Sequence, residues 1–135
     1  MISRRLFFLP TLVMLLALLP ACSLNIVKKR LPPPHPVAGG ILFSYEAPAA
    51  TIVTLAGNWE GNWWGGTASS SARYDNMIGR MEDPDGDGIW TLVEDLPPGR
   101  YLYKFVIDNN TWNTDPNNPS TAQEGGFTNS LLVVK

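Results

Sequence analysis

Two alternating runs, Ile89 to Asp95 (IWTLVED) and Tyr101 to Asp108 (YLYKFVID), meet at Pro97-Pro98-Gly99. A period of two marks a strand with one buried face, and a proline-rich step cannot supply the amide donors that would carry a helix through it. These residues commit the second half of the chain to short strands joined by turns. In the second run Tyr101, Tyr103, Phe105 and Ile107 share an inward face, which leaves Lys104 on the outward one beside Leu102 and Val106. A turn at Asp108 to Asn110 follows, and then Trp112 stands alone in a polar stretch ending at Asp115-Pro116. A cation and an indole on one surface suit a ligand that is polar but has an apolar face, as a sugar ring does.

The preceding segments repeat the pattern. Ile41 to Glu46 puts Ile41, Phe43 and Tyr45 on one face, and Thr51 to Ala56 reads as a β-branched strand closed by Gly57. Asn58 to Tyr74 has no period and reads as a long loop. Met77 to Met81 fits a short strand, Asn117 to Gly126 an irregular segment, and Thr128 to Lys135 the closing strand. Short strands at regular spacing, without a helical segment, predict an all-β, immunoglobulin-like antiparallel β-sandwich over residues 39–135.

The N-terminus has a different character. Arg4 and Arg5 precede an apolar run from Leu6 to Leu19 that is too short to span a bilayer, and small residues follow, so residues 1–21 read as a cleaved export signal. Leu19-Pro20-Ala21-Cys22 resembles the lipobox of bacterial lipoproteins, although Pro20 is unusual there. The resemblance implies an acylated Cys22 and a lipid bilayer as partner. Ser23 after the cysteine resembles the outer-membrane sorting pattern. Residues 22–38, with Lys28-Lys29-Arg30 and four prolines between Pro32 and Pro36, read as a semi-rigid tether.

Composition then excludes several classes of function. Residues 39–135 carry five basic side chains (Arg73, Arg80, Arg100, Lys104 and Lys135) against all 12 acids of the chain, a balance that argues against nucleic acid. The sole cysteine is Cys22 and the sole histidine is His35, between prolines, so the domain has neither a disulfide nor a Ser-His or Cys-His nucleophile system. Acid pairs such as Asp108 and Asp115 lack the spacing of a glycosidase dyad. A non-catalytic protein without a cofactor is expected.

Asp83, Asp85, Asp87, Gly88 and Glu94 fit the D-x-D-x-D-G-x5-E calcium-loop expression, but the segment leads into a strand where such a loop would enter a helix. Aspartate, proline and glycine also make a tight turn, and both readings stay open. Among the five tryptophans, Trp90 is expected to be packed within its strand and Trp59 to cap the sandwich end. Trp63 and Trp64 stand in the polar loop, where an exposed indole suits a stacking ligand.

LAGNWEGNWW, DGIWTLVEDLPPGRYLYKFVID, W-x-x-DP-x-x-P and TNSLLVV together resemble carbohydrate-binding module family 48. That group includes the glycogen-binding domain of the AMP-activated protein kinase β subunit and the early-set domains of branching and debranching enzymes. The resemblance implies an early-set β-sandwich that binds α-1,4-glucans. It places the family's stacking indoles on Trp63 and Trp112 and its hydroxyl-bonding residues on Lys104 and Asn129. The first loop has one extra residue, so Trp64 can replace Trp63, the turn before Trp112 is one residue longer, and Ser130 stands where the family has a second asparagine. Two functions follow. One is a membrane-anchored α-glucan-binding module; the other is a structural or protein-interaction module bracing a partner enzyme or surface protein.

Overall fold

The structure is a computed structural model that describes residues 30–67 and 73–135. The export signal, Cys22 and the first part of the Pro-rich segment lie outside the described residues. Nine strands and no helix are found among them: β1 (His35–Val37), β2 (Gly40–Glu46), β3 (Val53–Trp59), β4 (Asn62–Trp63), β5 (Ile89–Glu94), β6 (Gly99–Ile107), β7 (Thr111–Asn113), β8 (Thr121–Glu124) and β9 (Phe127–Val134). They form two antiparallel sheets, β1-β2-β5 and β4-β3-β6-β9-β8, with β7 paired to β6 beyond the end of β9. The predicted all-β sandwich is what the chain adopts.

Alternation dictates the core. Ile41, Phe43 and Tyr45 of β2 face Val53, Leu55, Tyr103, Phe105 and Leu132 of the larger sheet. Phe43 meets Tyr103 edge to face with centroids 5.1 Å apart, and Tyr45 meets Phe105 at 4.6 Å. Such pairs each contribute about 0.5–1.5 kcal/mol beyond the area they bury. Pro97-Pro98-Gly99 is the crossing between sheets, since β5 lies in one and β6 in the other.

Several local expectations need correction. Residues 77–81 do not form a strand. The Asp75 side chain and carbonyl accept the amides of Met77 and Ile78 in a turn, after which Gly79 and Met81 only brush the edge of β3, through Leu55 N–H to Gly79 O and Met81 N–H to Val53 O. Gly57 does not end β3. The strand runs on to Trp59, whose ring folds back over Gly57 so closely that a Cβ there would lie 1.8 Å from it. His35–Val37, in the Pro-rich segment, pair with Gly40–Leu42 across the Gly39 turn. Leu102 and Val106, on the outward face of β6, are buried, and beside Val106 that face is met by Tyr74, which contacts Thr54 and Trp112, the cross-strand partners of Val106.

Candidate carbohydrate-binding site

The register of the larger sheet decides which side chains share its outer face. Ala56 pairs with Lys104, Val106 with Trp112, Leu102 with Leu131 and Ala122 with Asn129. With a period of two along each strand, Lys104, Trp112, Asn129 and Phe127 all stand on that face. They surround a cavity of about 590 Å³ lined by Trp64, Lys104, Trp112, Glu124, Gly125, Phe127 and Asn129. That volume lies within the range of small-ligand sites, roughly 300–1,000 Å³.

Each wall has a local cause. Trp112 enters from a turn in which Asp108 and Asn109 take left-handed φ values of 49° and 67°, which their short polar side chains tolerate. Asp108 Oδ1 accepts the amides of Thr51 at 2.8 Å and Ile52 at 3.1 Å, tying this turn to the start of β3. Trp64 enters from the loop after β4. There the buried Asn62 donates from Nδ2 to Leu55 O at 2.6 Å and accepts Gly65 N–H at 3.0 Å, while Trp64, at φ 51°, donates its amide to Gly57 O. Phe127, 67% exposed, is presented by the Gly125-Gly126 hairpin, whose positive φ values of 59° and 82° suit a two-residue turn.

The polar floor is sparse. Lys104 Nζ stands over the Phe127 ring, and no carboxylate pairs with it among the described residues. Asn129 is buried, and its Nδ2 reaches Phe127 O only at 3.4 Å, a long contact that leaves most of the amide's capacity for a ligand. Glu124, opposite Phe127 in the hairpin, adds a carboxylate at the rim.

The structure separates the two neighbouring tryptophans. Trp64 lines the cavity, whereas Trp63, 36% exposed on the edge strand β4, does not. Phe127 and Glu124 were missed by sequence reasoning, and the signal for them was Gly-Gly flanked by two four-residue runs, TAQE and FTNS. Ser130 lies on the opposite face from Asn129, fully buried, where its Oγ accepts Asp115 N–H at 2.7 Å. The departure from a second asparagine is therefore a matter of the interior.

Asp115 is an internal anchor. Tyr103 Oη donates to its Oδ2 at 2.8 Å and Asn117 N–H to its Oδ1 at 2.8 Å. Burial raises its carboxyl above the ordinary value even against these hydrogen bonds, and burial together with the Asp115 charge pushes the Tyr103 hydroxyl up as well. Trp59 and Trp90 are packed, Trp90 donating its indole N–H to Ala47 O at 3.0 Å.

In the acidic turn, carboxylate oxygens of Asp83, Asp85 and Asp87 lie within 4.8 Å of one another. Asp83 accepts the amides of Asp87 and Gly88, and Asp87 accepts that of Ile89, as a tight turn requires. Glu94, the last residue of the calcium-loop expression, is carried by the extended β5 roughly 17 Å along the strand from Ile89, so it cannot close around the same ion. A more polar cavity of about 570 Å³, lined in part by Arg73, Asp75, Asn76 and Asn109, lies beside Tyr74 and lacks exposed indoles.

Three aromatic side chains, a cation and an amide thus line one cavity. Residues 41–135 match the family described as the glycogen recognition site of AMP-activated protein kinase. The chain belongs to that family. The match covers all of the sheet framework from β2 onward, including every wall of the cavity. The family is a carbohydrate-binding module. No curated protein matches the chain.

Proposed function

We propose that the protein is a non-catalytic module that binds α-1,4-glucan and is held at a membrane through an acylated Cys22. The reading is supported above all by one observation: the strand register gathers Lys104, Trp112 and Asn129 around a single cavity whose remaining aromatic walls are Trp64 and Phe127. Trp64 and Trp112 stack on the apolar faces of successive glucose rings, while Lys104 donates to hydroxyls and the Asn129 amide both donates and accepts. Phe127 bounds the site opposite them and Glu124 accepts from hydroxyls at its rim.

The membrane half of the reading rests on the lipobox-like Leu19-Pro20-Ala21-Cys22, and Ser23 after the cysteine favours the outer membrane of a bacterium. Affinity electrophoresis through a gel containing glycogen tests the glucan half. The wild-type protein is retarded and Trp112→Ala runs as in a gel without glycogen; unhindered migration of the wild type would end the glucan reading. Cys22→Ser tests the anchor, moving the protein from the detergent phase to the aqueous phase on extraction of cells.

A further inference from the structure

We propose that Tyr74 is a positioning residue that sets the Trp112 indole for ligand, an inference that rests on the glucan reading above. Tyr74 is half-buried and is not among the residues lining the cavity, so it acts through a neighbour. Its ring lies 5.8 Å from that of Trp112, at an interplanar angle of 63°. Its hydroxyl is 2.8 Å from Oγ1 of Thr54, a fully buried residue on the outer face of β3. On its other side the ring sits on Gly65: a Cβ there would come within 2.5 Å of Tyr74 Cδ2, and Gly65 has φ +80°. Asp75 N–H closes the arrangement by donating to Gly65 O at 2.7 Å.

Tyr74 is thus held by its hydroxyl, by a bare glycine Cα and by a backbone bond at its own neighbour, and its ring meets Trp112 edge to face. Trp112 needs such support, because β7 is a three-residue strand at the sheet margin and the indole is 39% exposed. An unsupported side chain would lose rotamer freedom on binding, and fixing it beforehand removes that cost. Gly65 also follows Trp64 directly, so one clamp connects both indoles across the cavity mouth. The long loop between Trp64 and Tyr74 therefore contributes to recognition by returning a tyrosine to the sheet.

The test measures glycogen retardation for wild type, Tyr74→Phe, Tyr74→Ala and Tyr74→Leu, alongside near-ultraviolet circular dichroism of each and of Trp112→Ala. Tyr74→Phe keeps the ring and binds within about twofold of wild type, whereas Tyr74→Ala and Tyr74→Leu bind about three- to tenfold more weakly. The same two variants change the tryptophan bands, and the change vanishes when Trp112→Ala is added. Tyr74→Leu retains apolar cover over Thr54 and serves if the alanine variant fails to fold. Wild-type affinity in the leucine variant, or weaker binding with tryptophan bands unaltered, overturns the inference while the glucan reading stands. A wild-type protein that glycogen does not retard ends both.

Discussion

Lys104 Nζ stands 5.7 Å from the centroid of the Phe127 ring, so the central cation of the site is held by an exposed aromatic side chain. In the proposed site this ring would steady the lysine and, at 67% exposure, offer a face to ligand. A cation–π contact at an exposed site is worth about 0.5–1 kcal/mol, and a lost stacking face adds to it. Phe127→Ala is expected to weaken glycogen binding about three- to tenfold, with stability unchanged to within about 0.5 kcal/mol. Binding measured in glycogen gels and a thermal melt of the same sample check the two halves together.

Gly57 leaves no room for a side chain. A methyl group there would fall 1.8 Å from Cζ3 of Trp59, which is 7% exposed and whose ring lies near Phe43 at 6.1 Å and Tyr101 at 6.0 Å. Gly57→Ala is expected to destabilise the fold by at least about 1–3 kcal/mol, the range for forcing extra volume into a packed core. A urea titration reads this directly as a lower midpoint.

Gly57 also marks where the sequence stops being informative. The alternation in YLYKFVI fixes β6 and the outward placement of Lys104 unaided, and Trp112 follows from the turn after it, because strand faces obey a local period. Gly57 reads equally well as a strand end or as a close approach, and what distinguishes them is the way the Trp59 ring folds back, which depends on its packing beside the distant Phe43 and Tyr101. Leu102 and Val106 look exposed by the same period, yet both are buried, and beside Val106 the face is met by Tyr74, which lies more than 25 residues earlier in the chain. Phe127 escapes notice because its hairpin partner TAQE is a polar edge strand with no apolar face to betray it.

A second test concerns the pH dependence of stability. Glu94 is half-buried opposite Ile41, and desolvation raises its carboxyl above the ordinary value of 4.5. Between that ordinary value and the raised one the folded protein binds more protons than the unfolded chain, so this group's contribution falls as pH rises through the window. Above the window the charged form carries the full penalty. Glu94→Gln, which breaks no hydrogen bond seen here, is expected to melt higher than wild type at pH 7 and to lose that advantage as the pH falls below 4.5. Melting curves across this range check the sign.

Trp63 and Trp64 provide the sharpest discrimination of the site. Both stand in the loop that the resemblance associates with stacking, and an extra residue leaves the sequence unable to choose between them. The backbone separates them: Trp63 remains in the edge strand, with its amide bonded to Gly66 O, whereas Trp64 takes a left-handed φ and lines the cavity. A tryptophan rarely accepts that conformation, and Asn62 holds it by bonding on both sides of the turn, to Leu55 O and from Gly65 N–H. Trp64→Ala is therefore expected to weaken glycogen binding by about tenfold or more, while Trp63→Ala changes it by less than about threefold. Asn62→Ala, which frees the turn without touching the cavity, should reproduce much of the Trp64→Ala defect and also lower the melting temperature, because it leaves a buried carbonyl and amide without partners.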